Sequence, residues 1–244
     1  MQEVLIFILG LAMGIVTSIS GGAGVFGIPI MLAFGLPPVN VLALNRVSDV
    51  GTVFGALRKY HASKGIDWRL AAIIAVPMAI GSFIGASAVI RLPEETLRYV
   101  IIAGIGVGIF FLLRKAKPKA AQGNRLSWIG LGLMLIVGVW SGALAMAGAT
   151  FAVLVLVYFF NKTFLQARST DIAAAIPETL VSSAILIGAS TVSAFALATM
   201  FVSSFIGAWI GSHLAVKHGN EFIRKAMVSV ALVMVIKVIV DIMG

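Results

Sequence analysis

Apolar runs long enough to cross a bilayer follow one another along almost the whole chain. They cover residues 4–36, 38–56, 70–90, 99–113, 127–160, 164–188, 192–216 and 226–243. A transmembrane helix needs about 20 apolar residues, so most of these runs are of spanning length. A strand crossing a bilayer as part of a barrel would alternate polar and apolar side chains. Here the runs are continuous, as in residues 71–89 and 226–240, and helices are expected. The composition agrees: 60% of residues are hydrophobic, 11% are charged and the mean hydropathy is +1.09. That leaves too little polar surface for a soluble domain.

The formal net charge of +9 does not point to nucleic acid, because the basic residues lie in short gaps between apolar runs. Lys and Arg beside helix ends set the orientation of a membrane protein and mark its cytoplasmic loops. The chain has no cysteine, which excludes thiol chemistry, disulfides and cysteine-held metals. His61, His213 and His218 are read as helix-end or loop residues without metal-ligand spacing. No metal site and no cofactor are expected. The start, Met1-Gln2-Glu3, lacks the basic region of a cleaved signal peptide.

The chain divides at a basic linker. Residues 1–113 form a first transmembrane repeat, 114–126 a cytoplasmic linker rich in Lys and Arg, and 127–244 a second repeat. Ser82-Phe83-Ile84-Gly85-Ala86 recurs as Ser204-Phe205-Ile206-Gly207-Ala208. At the same offset Arg46-Val47-Ser48-Asp49-Val50 matches Arg168-Ser169-Thr170-Asp171-Ile172. Glu95 and Arg98 match Glu221 and Arg224, and Gly14 and Gly24 match Gly138 and Gly148, at slightly larger offsets. Matches in the same order indicate an internal duplication.

Loop charges orient the halves. Arg58, Lys59, Lys64 and Arg69, then the linker, then residues 217–225 are expected on the cytoplasmic side, and 189–191 on the other. The parity closes only if residues 4–36 and 127–160 each fold as a hairpin, broken at Ser20-Gly21-Gly22-Ala23-Gly24 and between Ser141 and Ala149. The expected fold is therefore an all-α integral membrane protein of two inverted repeats. Each repeat holds a re-entrant or broken helix hairpin and three transmembrane helices.

Non-helical backbone at membrane depth belongs where it lines a cavity. A Gly-rich tip followed by a helix near Val25 offers N–H groups and a positive dipole end to an anion. Close helix packing is the other use of such glycines. The second tip, residues 145–150, has fewer of them. Arg46 and Asp49 share one helical face inside a span, and Arg168 and Asp171 repeat the arrangement. Each pair either ties helices together or offers a guanidinium fork to an oxyanion, oriented by Asp or by the hydroxyls of Ser48 and Thr170. Arg168 lies nearer the cytoplasmic end and could snorkel to water. Glu178, after Pro177 in an apolar run, is either a protonated structural carboxyl or a proton-exchanging one. Lys237 and Asp241 read as a snorkelling Lys with a local partner.

The break at residues 20–24, then Gly27-Ile28-Pro29-Ile30-Met31-Leu32 and Gly35-Leu36-Pro37-Pro38, resembles the sulfite exporter TauE/SafE family, transporters of the 4-toluene sulfonate uptake permease type. Lys64-Gly65-Ile66-Asp67 before a span, Gly81, Gly85 and the duplicated halves fit the same resemblance, which covers essentially the full chain. It implies a multi-pass protein of a bacterial or archaeal inner membrane that moves small anions, sulfite or organosulfonates. The chain departs from that family's pattern at Leu44-Asn45-Arg46-Val47-Ser48-Asp49 and at Ala145-Met146-Ala147-Gly148, where substrate would sit.

The resulting expectation is a secondary transporter or exporter, not an enzyme. An anion channel is the near alternative, and an intramembrane enzyme such as a lipid phosphatase is the distant one. Expected substrate contacts are Ser20, Gly21, Gly22, Gly24, Asn45, Arg46, Ser48, Gly148, Thr150, Arg168 and Thr170. Asp49, Asp171 and Glu178 are the proton-coupling candidates. Expected partners are a small anionic solute and the lipid bilayer, with a second copy of the chain (a homodimer) as a further candidate and no nucleic acid.

Overall fold

A computed structural model describes residues 2–93, 95–97, 99–100, 127–144 and 146–243, with side chains described between 3 and 229. The linker at 114–126, most of the apolar run at 99–113, Arg98, Ala145 and the side chains of Lys237 and Asp241 lie outside the described residues. Among those described, the regular elements are helices: α1 Gln2–Ser20, α2 Gly24–Ala33, α3 Pro38–Ala62, α4 Trp68–Val89, α5 Trp128–Leu144, α6 Gly148–Phe159, α7 Phe164–Ala189 and α8 Ala194–Met243. Gly219, at φ 71°, interrupts α8. His213 sits inside α8 rather than at its end and reaches the Trp209 carbonyl at 2.7 Å.

Four helical stretches are long and apolar enough to cross a membrane: Glu3–Ser20, Trp68–Val89, Phe164–Ala189 and Ala194–Ser229. The long helix α3, which carries Arg46 and Asp49 within its length and Arg58 and Lys59 near its end, falls outside that set. At about 1.5 Å per residue, α2 and α6 reach only roughly half the thickness of a bilayer. Both long apolar runs at 4–36 and 127–160 are thus broken into two helices. α1 is longer than a half-depth arm and has spanning length by itself.

Local chemistry sets the ends. α1 stops where Gly21 takes φ 79°, with its N–H donating to the Thr17 carbonyl at 2.8 Å. That left-handed turn costs glycine little and an L side chain about 1–2 kcal/mol. α4 starts on Asp67, whose carboxylate accepts from Leu70 N–H at 3.0 Å. α7 starts on a capping box between Thr163 and Gln166.

Two sets of hydrogen bonds fix the ends of the helical bundle. At one end Asn40 donates to the Thr191 hydroxyl and accepts from Thr191 N–H, both at 3.0 Å. At the other, Lys162 pairs with Asp67 at 2.7 Å and Thr170 accepts from Asp67 N–H at 3.1 Å. Leu165 N–H donates to Asn220 at that same end. α3 therefore runs toward the Asp67 end and α7 away from it. Lys64, Lys162 and the turn at Gly219 gather at one end.

The duplicated pentapeptides do the same mechanical task. A side chain at Gly85 would collide with the backbone of Val139 and Ala143 in α5, and one at Gly207 with Leu11 and Ile15 in α1. Small residues let the backbones of such helices touch. The surface is correspondingly apolar: Val76, Ile80 and Phe83 of α4 and Phe195, Val202 and Trp209 of α8 are exposed. The polar side chains Asn45, Arg46, Arg168, Asp171 and Glu178 are buried. Apolar outside and charged inside is the distribution a lipid solvent demands.

Candidate functional site

The two helix breaks meet in the interior. Thr150, in the first turn of α6, donates to the Ser20 carbonyl at 2.9 Å, and Gly21 lies against Ala149 and Thr150. No side chain caps the start of α2 or of α6. Both first turns come to the same region, and in α2 the N–H groups of Val25, Phe26 and Gly27 already donate to the Gly22 and Ala23 carbonyls. Ala147, just before α6, adopts φ 55° without being glycine.

Around this meeting point lies a cavity of about 30 Å³. Its walls come from the tips (Thr17, Gly21, Gly24, Ser141, Gly148) and from one face each of α3 and α7. Arg46, Asp49 and Val53 follow each other at helical spacing on α3. Arg168, Asp171, Ala175 and Glu178 do so on α7.

The two arginines reach across to the opposite hairpin. Arg46 donates to the Ser141 hydroxyl of α5 at 2.8 Å and to Asp49 at 3.2 Å, with Glu178 3.5 Å away. Arg168 donates to the carbonyls of Ser18 at 3.1 Å and Thr17 at 2.6 Å, and pairs with Asp171. Every nitrogen of the Arg168 fork thus has a partner, whereas Arg46 Nε has none. Arg168 is 1% exposed, so it does not snorkel to water, as its position near a helix end would have allowed. The last turn of α1, just before the break, presents the backbone carbonyls that hold it inside. Pro177 has no N–H for the helix ladder, and the Glu178 carbonyl after it accepts from Ser82 at 3.0 Å and Ser182 at 2.9 Å.

Of the residues singled out in the sequence, Gly21, Gly24, Arg46, Gly148 and Arg168 line the cavity, with Asp49, Asp171 and Glu178. Ser20 and Thr150 stand behind it, joining the tips. Asn45 and Ser48 are buried on α3 but are not in the cavity wall, and Gly22 is in the tip without lining it. Thr170 faces the Asp67 loop instead. Thr17, Thr52, Ser141 and Thr179 also line the cavity. Thr52 lies three residues beyond Asp49, and Thr179 lies one or two turns beyond Ala175 and Ile172, so extending the charged face by helical spacing reaches both. Ser141 is marked in the sequence only as the start of the second break and Thr17 not at all, because only the folding of the hairpins brings them there. Among the described residues no cluster of acidic and histidine side chains could hold a metal ion.

Buried charges shared between two broken helix pairs, in a bundle with an apolar exterior, define a multi-pass membrane protein with a polar interior site. The sequence profile of the family described as "Sulfite exporter TauE/SafE" matches residues 6–238. The chain belongs to that family, whose members are transporters rather than enzymes. It is similar to the probable membrane transporter protein YfcA of Escherichia coli, with 29% identity covering 97% of this chain and 89% of that one. It is also similar to YjnA of Bacillus subtilis, at 26% over 98% and 100%. A probable membrane transporter of Haemophilus influenzae is 22% identical over 97% and 94%.

Proposed function

We propose that the protein carries a small oxyanion, sulfite or an organosulfonate, through the cavity between the hairpin tips, together with protons. The family's description supports a sulfur oxyanion. The observation that carries the site is Arg46: buried, at the tips, with Nε unpartnered beside a cavity. Arg168, with every nitrogen satisfied, is the clamp that holds the first tip in place.

Charge supports coupling to protons. Three carboxylates (Asp49, Asp171, Glu178) face two guanidiniums in the cavity wall. With all ionised, the site repels an incoming anion. An isolated ion in such surroundings costs far more than a transporter can spend. Protonating one carboxylate frees an arginine for the substrate. Glu178 is the candidate because it has no counterpart in the first repeat, where Ala56 stands at the matching offset.

The halves work as inverted repeats, with the antiparallel α3 and α7 as counterparts around one site. The end bearing Lys64 and Lys162 faces the cytoplasm. The test is flux in liposomes: sulfite and a series of organosulfonates, with and without a pH gradient. A gradient that fails to drive accumulation of any of them overturns proton coupling. No anion flux at all overturns the transport reading.

A further inference from the structure

Three residues that line the cavity each hold a buried polar atom without a hydrogen-bond partner: Arg46 Nε, Thr52 Oγ1 and Asp171 Oδ1. All three residues are at most 1% exposed. Leaving one such group unpaired costs about 1–3 kcal/mol, so each calls for a partner. They are not alike. Arg46 Nε can only donate. Asp171, tied through its other oxygen to Arg168, can only accept while ionised. The Thr52 hydroxyl can do either.

We infer that the site is built for a monoanion that carries its own hydrogen-bond donor, a hydroxyl-bearing oxyanion. This rests on the transport reading above and narrows its substrate. An anionic oxygen of the ligand accepts from Arg46 Nε–H, its hydroxyl donates to Asp171 Oδ1, and Thr52 bonds whichever oxygen remains. Single charge follows from the surroundings. The charged groups facing the cavity are Arg46 and Asp49 from α3 and Arg168, Asp171 and Glu178 from α7, and a second negative charge on the ligand would meet three carboxylates with two cations. Size follows from the cavity. About 30 Å³ is on the order of two water-sized volumes, which suits a ligand of a few heavy atoms and excludes an aromatic sulfonate in this conformation. Sulfonates, fully ionised and without a hydroxyl, leave Asp171 Oδ1 unsatisfied.

Hydrogen sulfite and methanesulfinate test this, because they share charge and shape and differ by a hydroxyl against a methyl group. Their affinities are measured by calorimetry on the purified full-length protein, at a pH where sulfite is mostly singly protonated. Hydrogen sulfite is expected to bind at least about tenfold more tightly, since a site that hydrogen-bonds a hydroxyl rejects the analogue lacking it. Thr52→Val, of nearly equal shape, is expected to weaken both ligands alike and leave that ratio unchanged, because the oxygen it bonds is common to them. Arg46→Lys is expected to weaken both ligands alike, because the anionic oxygen is common to them. Equal affinities in the wild type overturn the donor requirement and leave the anion site standing. Unchanged affinities for both ligands in Thr52→Val remove Thr52 from the site. Binding of neither ligand overturns the inference and the transport reading together.

Discussion

Arg46 and Ser141 are 95 positions apart in the chain and 2.8 Å apart in space. The bond ties the charged helix of one half to the hairpin of the other, and Arg168 makes the converse tie to Thr17 and Ser18. Each half thus supplies the guanidinium that holds the other's break. The two arginines differ in what remains free, and that difference predicts separable phenotypes.

Arg46→Lys keeps the charge but loses the planar fork and Nε. We expect anion flux to fall at least about tenfold with the melting temperature nearly unchanged, since the Lys ammonium can still meet Asp49. Arg168→Ala is expected to lose about 3–5 kcal/mol of stability, because it strands Asp171 in the interior. Thermal unfolding in detergent and liposome flux separate the two. Equal loss of stability in both variants would contradict the division of labour.

Glu178→Gln keeps the shape and removes the exchangeable proton. Downhill anion exchange is expected to persist while accumulation driven by a pH gradient disappears. Normal gradient-driven uptake in this variant would leave Asp49 or Asp171 as the coupling group.

The Asp67–Lys162 pair lies outside the membrane-spanning segments. Burial raises the Asp67 carboxyl pKa, but the Lys162 hydrogen bond and the Leu70 N–H outweigh it, and the group sits below the usual carboxylate range. A lowered folded-state pKa stabilises at pH above the unfolded value and loses that contribution as pH falls through the folded one. Asp67→Asn keeps the helix cap and removes the charge. It is expected to cost about 0.5–1 kcal/mol at neutral pH. The difference from wild type should vanish in acid, as read from melting temperatures over a pH series.

Gly21→Ala places a side chain at φ 79° and against Ala149. The left-handed backbone by itself costs about 1–2 kcal/mol. The melting temperature should fall, and flux should fall further than stability does, because the tip borders the cavity. Unchanged flux in folded protein would detach this tip from the transport path.

Sidedness is open to single-cysteine labelling, since the chain has no cysteine of its own. Probes at positions 59, 162 and 217 are expected to react from the cytoplasmic side and a probe at 191 from the other. Opposite sides for 59 and 162 would break the orientation drawn from the basic loops.

Much of the architecture was legible in the sequence because lipid imposes a simple code. Continuous apolar runs become helices, glycine-rich breaks interrupt them, and buried charges must be few and paired. Arg46, Asp49, Arg168, Asp171 and Glu178 stood out for that reason, since a charge inside an apolar run is costly wherever it points. Sequence could not say what each charge would meet. Arg168 looked free to reach water, and the last turn of α1, presenting the Thr17 and Ser18 carbonyls, helps hold it inside. Ser141 and Thr17 are ordinary residues in apolar helices until the hairpins fold back. Ser48 and Thr170 share the charged motif yet turn away from the cavity, because helical rotation and the seating of the Asp67 loop decide which face is used. The local code sets which residues cannot lie against lipid. Long-range packing alone decides which of them share a cavity, because those contacts join positions that the chain keeps far apart.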